Sequence, residues 1–179
     1  FNPQSPYAIG KTFAYYTTKY YRETFGIHAS TAIFYNHESP RRTPEYVTRK
    51  ITQSVARIYL GMQKKIVLGD TSARIDWGYA KDYMDAAWSM LQQKDADDYV
   101  IGSGIAYSVR DFVDEAFSIV GLETDKYLET SQEFMRPSKT STLIADASKA
   151  KKNLNFKPEI DFHNLVRIMV EEDLKNEKN

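Results

Sequence analysis

Short apolar runs alternate with longer segments of helical periodicity along most of this chain. The runs at residues 28–34, 66–68 and 99–101 favour strands. Apolar side chains recur three or four residues apart in the other segments, which favours helices at residues 6–25, 43–61, 80–93, 108–121, 146–154 and 162–174. Strands that alternate with helices are typical of a parallel sheet covered by helices, so the sequence predicts an α/β fold.

Residues that begin and end helices stand at the ends of several of these segments. Gly26 follows the first segment, and glycine readily adopts the left-handed backbone that closes a helix. Thr43 before Pro44 predicts that the second helix begins there, and Ser108 with Asp111 predicts a capping box at the fourth. One apolar stripe runs along the third predicted helix, through Met84, Ala87, Trp88 and Leu91.

The composition excludes several classes of function. Twenty-four basic and 24 acidic residues cancel, so nothing indicates a protein that binds nucleic acid or an anionic membrane. There is no cysteine, which excludes a disulfide framework, thiolate chemistry and a cysteine-rich zinc site, and we predict no metal. A reducing cytoplasm suits such a chain. No apolar run is long enough to span a membrane.

The first predicted helix carries a tyrosine and a lysine four residues apart, at Tyr7 and Lys11. Side chains at this spacing meet on one face of a helix, and an ammonium beside a phenol stabilises the phenolate, which can then act as a general base. The spacing by itself is weak evidence, because it recurs from Tyr15 and from Tyr46 in a chain with 13 tyrosines. A helix with a solvated lysine would show the same pattern.

The segment that follows the first predicted strand is more informative. Residues 36–42 read Asn-His-Glu-Ser-Pro-Arg-Arg and place an amide, an imidazole, a carboxylate and two guanidiniums in one predicted loop. Loops that leave the carboxyl ends of strands are where α/β proteins bind their ligands. We therefore predict a ligand site at residues 36–42.

Ser-Pro-Tyr-x-x-x-Lys at residues 5–11, followed by residues 36–42, resembles the extended short-chain dehydrogenase/reductases, and among them the GDP-mannose 4,6-dehydratases. The resemblance continues through Val-Thr-Arg-Lys at 47–50, Asp-Trp-Gly at 76–78, Ala-Lys-Asp-Tyr at 80–83 and Ser-Val-Arg at 108–110. It reaches Arg-Pro at 136–137 and Leu-Asn-Phe-Lys-Pro at 154–158, so it covers nearly the whole chain.

The resemblance implies the C-terminal half of a doubly wound, Rossmann-like sheet with a smaller, mostly helical substrate-binding domain. Residues 1–42 and 78–103 would belong to the NADP-binding domain, and residues 43–77 and 104–179 to the domain that binds the sugar nucleotide. The family carries its glycine-rich cofactor loop, with a threonine and a glutamate of the active site, upstream of these motifs. The one Gly-x-Gly here, at 102–104, lacks the third glycine and is interpreted as a turn. We expect this polypeptide to be inactive by itself.

The resemblance also implies a reaction and the residues that perform it. The parent enzyme would be a lyase that removes water from GDP-mannose by internal hydride transfer through NADP (NAD is possible), as a step of GDP-fucose biosynthesis. It would be a cytoplasmic homo-oligomer. The residues implied to contact the cofactor are Tyr7, Lys11, His37 and Arg42, of which the first two are catalytic. The residues implied to bind the sugar nucleotide are Asn36, Lys50 and Arg136.

Two departures from the family pattern leave the substrate open. Ile75 stands where the family has an arginine before Asp-Trp-Gly, and Lys139 stands where it has a glutamate after Arg-Pro. Both positions lie on the nucleotide side of the implied site. Another nucleotide-sugar dehydratase, an epimerase or a 4-keto reductase of the same family is therefore one alternative, and a non-catalytic module that binds sugar nucleotides is the other.

Overall fold

The computed structural model describes residues 1–134 and 142–178, and its α/β architecture confirms the predicted fold class. The helices are α1 Pro6–Phe25, α2 Val47–Tyr59, α3 Ala80–Leu91, α4 Val109–Ile119, α5 Ser148–Leu154 and α6 Phe162–Asn176. The strands are β1 Ala32–Phe34, β2 Asn36–Glu38, β3 Ile66–Leu68, β4 Arg74–Tyr79, β5 Tyr99–Ile101, β6 Ala106–Ser108 and β7 Leu128–Thr130.

The described strands form three small sheets. β1 pairs in parallel with β5, with Ala32 opposite Tyr99. β4 lies between β2, which is parallel to it, and β6, which is antiparallel. β3 pairs in parallel with β7. Parallel neighbours need a long crossover connection, and the helices between β1 and β5 provide it.

The first strand is shorter than predicted, since only Ala32–Phe34 of residues 28–34 are in β1. The backbone just before it also bonds to side chains, although the carbonyl oxygen of Thr31 still accepts a hydrogen bond from the amide of Tyr99 at 2.9 Å. The guanidinium of Arg22 donates to the carbonyl oxygen of Ala29 at 2.9 Å, and the amide of Thr31 donates to the carboxylate of Asp98 at 3.0 Å. These contacts join the end of α1 to the start of the sheet.

The region from residue 36 to residue 47 also differs from the prediction. The predicted loop begins as strand β2, which pairs with β4, and this strand was missed because three residues carry too little periodicity. The second helix begins at Val47 and not at Pro44, because residues 43–46 form a turn in which the amide of Tyr46 donates to the carbonyl oxygen of Thr43 at 3.2 Å. Tyr46 is therefore the N-cap residue.

Two hydrophobic clusters form the described core. The larger one lies among α2, α4 and α6 and includes the buried residues Ile51, Val55, Phe112, Val166 and Met169. The smaller one joins α3 and α5 to the β1–β5 sheet and includes Tyr83, Met90, Ile101, Ala150 and Phe156. The second cluster lies directly beneath the strand that leads to residues 36–42.

The apolar stripe along α3 faces solvent at three of its four positions. Met84, Trp88 and Leu91 are 48%, 65% and 59% exposed. The helix turns another face inward, where Tyr83, Ala86 and Met90 pack in the smaller hydrophobic cluster. On the same face the buried carboxylate of Asp82 accepts hydrogen bonds from the amides of residues 159 and 160. None of the helices in the described ranges is both long and apolar enough to cross a membrane.

Candidate functional site

Local sequence places Tyr7 and Lys11 in the first two turns of α1. The hydroxyl of Ser5 accepts a hydrogen bond from the amide of Ala8 at 3.1 Å, and Pro6 occupies the first helical position. The helix ends at Phe25, followed by Gly26 with a φ of 65°. The predicted bounds of this helix are confirmed at both ends.

The side chains of Tyr7 and Lys11 meet, as their spacing predicts. The Nζ atom of Lys11 lies 5.4 Å from the centroid of the Tyr7 ring, and Tyr7 is 74% exposed. The other two tyrosines at this spacing have different neighbours. The Tyr15 ring packs against Phe1, with the ring centroids 4.8 Å apart, and the Tyr46 ring lies 3.6 Å from the guanidinium carbon of Arg42. The structure thereby distinguishes the Tyr7 pair from its repeats.

A cavity of about 620 Å³ lies between the first turns of α1 and the β1 strand. Tyr7, Lys11 and His37 all line it, so a phenol, an ammonium and an imidazole share one concave surface. Thr31 and Phe34 line it as well, although sequence analysis did not single them out. For Phe34 the signal is its position at the carboxyl end of a parallel strand, where side chains border the ligand site. Thr31 precedes the strand, and no local pattern singles it out.

His37 is held on the cavity wall by its neighbours in the chain and in the core. Its Nδ1 atom lies 3.0 Å from the carbonyl oxygen of Tyr35, and a carbonyl oxygen can only accept, so Nδ1 carries a hydrogen. The ring packs between Phe34 and Tyr83, with centroids 5.2 Å and 5.4 Å away. This leaves Nε2 as the ring atom available for a ligand.

Buried Glu38 and partly buried Arg42 form an ion pair that follows His37 in the chain. Glu38 is 2% exposed, its carboxylate accepts a hydrogen bond from the hydroxyl of Thr48 at 2.7 Å, and it lies 3.2 Å from the Nε atom of Arg42. Burial raises the pKa of Glu38, against the opposing effects of Thr48 and Arg42. The guanidinium of Arg42 also stacks on the Tyr46 ring. Arg42 thus has a fixed position, but unlike Tyr7, Lys11 and His37 it is not among the residues that line the cavity.

Of the residues implied to bind the sugar nucleotide, Asn36 and Lys50 are not among those that line the cavity in the described part of the chain. Asn36 is exposed at the start of β2. The Nζ atom of Lys50 donates to the carbonyl oxygen of Val67 at 2.7 Å and lies 4.8 Å from the Phe134 ring. Arg136 lies outside the described residues. The binding roles of all seven implied residues stay predictions.

The fold is shared with solved proteins, among them an enzyme whose name gives a nucleotide sugar as its substrate. The chain is similar to RMD from Pseudomonas aeruginosa in complex with NADPH, with a TM-score of 0.90, 21% identity and coverage of 98% of this chain and 58% of that one. It is also similar to dTDP-glucose 4,6-dehydratase from Bacillus anthracis in complex with NAD, with a TM-score of 0.85, 22% identity and coverage of 99% and 55%. Identity this low shows the fold alone, which is Rossmann-like.

Sequence similarity identifies the family. The family model described as GDP-mannose 4,6 dehydratase matches residues 1–169. GDP-mannose 4,6 dehydratase 1 of Arabidopsis thaliana is 46% identical over 175 residues, which cover 98% of this chain and 48% of the relative. The chain belongs to the GDP-mannose 4,6 dehydratase family. It spans about half the length of the curated relatives it matches.

Proposed function

We propose that this chain forms the proton-transfer side of a nucleotide-sugar 4,6-dehydratase that acts on GDP-mannose with NADP. The observation that carries the proposal is the cavity shared by Tyr7, Lys11 and His37. Membership of the family and the names of the curated relatives support the substrate. The NADPH complex of the Pseudomonas aeruginosa neighbour supports the cofactor.

The side chains that line the cavity fit the reactive end of a dinucleotide. The Tyr7 ring is exposed and adjoins the ammonium of Lys11, while the Nε2 atom of His37 has no hydrogen-bond partner among the described residues. We assign Tyr7, Lys11 and His37 to the nicotinamide ribose, and Arg42 to a phosphate that approaches from the β2 side. The chemistry that NADP supplies when bound is reversible acceptance of a hydride from the sugar.

The part of this chain in the reaction is to move one proton. The phenolate oxygen of Tyr7 accepts the proton of the sugar 4-hydroxyl as that carbon is oxidised, and the O–H bond of the sugar becomes the O–H bond of Tyr7. The ammonium of Lys11 stabilises the phenolate before the transfer. Asn36, Lys50 and Arg136 are proposed to hold the sugar nucleotide, with Lys50 as a point charge towards a diphosphate.

The remaining parts of the proposal concern the whole protein. We propose a division into a cofactor part, at residues 1–42 with 78–103, and a substrate part, at residues 43–77 with 104–179. The larger hydrophobic cluster supports it, because its buried residues all belong to the substrate part. Helix α5 packs on the β1–β5 sheet, so residues 148–154 associate with the cofactor part. We further propose a homo-oligomer located in the cytoplasm.

The test is an assay of the complete encoded protein with NADP and GDP-mannose, in which Tyr7→Phe is compared with Tyr20→Phe. Tyr20 lies on the same helix and is 55% exposed, but it is not among the residues that line the cavity. Loss of a general base lowers kcat by roughly 10²- to 10⁴-fold, so we expect this loss for Tyr7→Phe only. If the gene encodes no cofactor loop, the assay uses a chimera in place of the encoded protein. The chimera joins this chain to the portion of the Arabidopsis thaliana relative that this chain does not match.

Two outcomes would contradict the proposal in different ways. Equal turnover of the Tyr7→Phe variant and the unaltered protein would exclude Tyr7 as the base. Turnover of CDP-glucose without turnover of GDP-mannose would retain the mechanism and assign the protein to another nucleotide-sugar enzyme of the same fold. The departures at Ile75 and Lys139 are the observation that favours this second candidate.

A further inference from the structure

The guanidinium of Arg49, in the first turn of α2, contacts two separate parts of the chain. Its Nη1 atom donates to the carbonyl oxygens of Pro40 and Arg42, the latter at 3.0 Å. Its Nε atom donates to both carboxylate oxygens of Asp173 on α6, at 2.9 Å and 3.0 Å, and its Nη2 atom lies 2.6 Å from one of them. One side chain therefore joins the 36–42 segment to the C-terminal helix.

This ion pair is shielded from water and fully bonded. Asp173 is 1% exposed, the side chain of Arg49 is 13% exposed, and the hydroxyl of Thr52 donates to the same carboxylate at 2.7 Å. A buried charge pair persists only where its geometry is good and its remaining hydrogen bonds are made. A guanidinium has five donors in a rigid fork and can satisfy the carboxylate and the two carbonyls together, which a single ammonium cannot.

The two carbonyl oxygens that accept from Arg49 belong to Pro40 and to Arg42, the residues on either side of Arg41. The hydrogen bonds from Arg49 fix the backbone at Pro40 and Arg42. The guanidinium of Arg42 then lies between the carboxylate of Glu38 and the ring of Tyr46. Upstream, β2 fixes His37 by pairing with Gly78. The 36–42 segment is thus held at its start by the sheet and at its end by Arg49.

We propose that Arg49, oriented by Asp173, is a positioning residue that sets the conformation of the 36–42 segment and with it the affinity for the dinucleotide. The inference rests on the proposed function, because it takes His37 and Arg42 to contact the cofactor. It also gives α6, the last helix of the described chain, a part in cofactor binding, since Asp173 fixes the guanidinium that holds the segment.

Limited proteolysis tests the positioning without any assay of activity. Arg49→Gln removes the contacts with both carbonyls and with Asp173. The matched control is Arg57→Gln, which breaks another α2–α6 contact, the 2.9 Å pair of Arg57 with Glu177, and leaves the 36–42 segment untouched. Release of the segment should accelerate tryptic cleavage after Arg41 and Arg42 by roughly tenfold or more in Arg49→Gln, and should leave Arg57→Gln at the rate of the unaltered protein. Equal cleavage rates in all three proteins would overturn the proposal.

A second variant keeps the test decisive if Arg49→Gln does not fold. Arg49→Lys retains the charge but cannot bond to the carboxylate and both carbonyls together, so its cleavage rate should lie between those of the unaltered protein and a released segment. Circular dichroism at the assay temperature establishes that each variant compared is folded. A cleavage rate for a folded Arg49→Lys protein equal to that of the unaltered protein would overturn the proposal.

The affinity part of the proposal is tested on the complete protein by titration with NADP. We expect the dissociation constant to rise by about tenfold in Arg49→Lys, with kcat at saturating NADP and GDP-mannose nearly unchanged, and no change in Arg57→Gln. A released segment with unchanged NADP affinity would overturn the positioning role. An unaltered protein that binds no NADP would instead overturn the proposed function, and the proteolysis would still decide whether Arg49 holds the segment.

Discussion

At the scale of single residues, Asp98 joins α1 to the parallel sheet through one carboxylate. Its two oxygens each accept a hydrogen bond of 2.8 Å from the guanidinium of Arg22, and one also accepts from the amide of Thr31. The hydrogen bonds from Arg22 lower the pKa of Asp98 below its ordinary value, although partial burial opposes the effect. Because α1 carries Tyr7 and Lys11, this contact orients the proposed catalytic pair relative to the sheet.

Asp98→Asn should destabilise the protein in a way that depends on pH. A carboxyl whose pKa is lowered on folding contributes stability above its unfolded pKa of about 4 and loses that contribution as the pH falls through its folded pKa. We expect a loss of about 1–3 kcal/mol in the free energy of unfolding at pH 7, which shrinks as the pH is lowered below about 4. Urea unfolding of Asp98→Asn and of the unaltered protein, from pH 7 to below about pH 4, measures this difference in the free energy of unfolding.

The control for Asp98→Asn is the same change at Asp95, an exposed residue of the same connection between α3 and β5. Its unfolding free energy should match that of the unaltered protein at every pH. A constant difference between Asp98→Asn and the unaltered protein from pH 7 down to about pH 2 would show that the ionised carboxylate contributes nothing and would refute the assignment.

At the scale of elements, Asp76 ties together three parts of the chain that meet beyond the ends of β1 and β5. It lies on β4 and is 1% exposed. Its carboxylate accepts hydrogen bonds from the amide and the hydroxyl of Ser103, from the amide of Gly104 at 2.9 Å and from the amide of Ala145 at 3.0 Å. The turn approaches so closely that a Cβ atom at Gly102 would collide with that of Ala145. The Gly-x-Gly at residues 102–104 is therefore a packing turn, as the sequence predicted.

Asp76→Asn should loosen this junction between elements. The amide side chain retains one acceptor oxygen and turns its NH₂ group towards backbone donors, so at least one buried donor loses its partner. We expect the free energy of unfolding in urea to fall by about 1.5–3 kcal/mol. Asp85→Asn is the control, because Asp85 bonds only to the exposed Lys81 and to residues of its own helix in the described structure. A loss no larger for Asp76 than for Asp85 would contradict the interpretation.

At the scale of the whole molecule, α1 presents an apolar stripe to solvent. Ile9, Phe13, Tyr16 and Tyr20 stand along one face and are 58%, 72%, 55% and 55% exposed, and no residue of the helix is fully buried. A contiguous exposed patch of this kind marks a surface for association. It supports the proposed homo-oligomer.

Polar substitutions on the stripe should reduce this association. The double variant Phe13→Gln with Tyr16→Gln removes two of its rings, and because apolar burial contributes roughly 25 cal/mol per Å², we expect the dissociation constant of the assembly to rise at least tenfold. Sedimentation equilibrium measures the change. Tyr59→Gln is the control, since Tyr59 is 51% exposed at the end of α2, away from the stripe. Equal association of the double variant and the control would exclude α1 as the contact surface.

The amino-acid sequence by itself determined the features that depend on near neighbours in the chain. The bounds of α1 follow from Ser5 and Pro6 at one end and Gly26 at the other, and the capping box at Ser108 begins α4 as predicted. The contact of Tyr7 with Lys11 follows from helical geometry. Helix ends, turns and contacts four residues apart are set by hydrogen bonds within one or two turns, so the local sequence is sufficient to predict them.

Only the tertiary structure decided which of the chemically suitable side chains are available to a ligand. In the sequence, Glu38 and Arg42 are both charged residues of the predicted ligand loop. In the structure, Glu38 is buried and its carboxylate contacts Thr48 and Arg42. Arg49 meets Asp173 across 124 residues, and no local pattern predicts that meeting. Ion pairs and burial depend on which distant surfaces the hydrophobic clusters bring together. That is a property of the packed chain, and the spacing of its residues does not encode it.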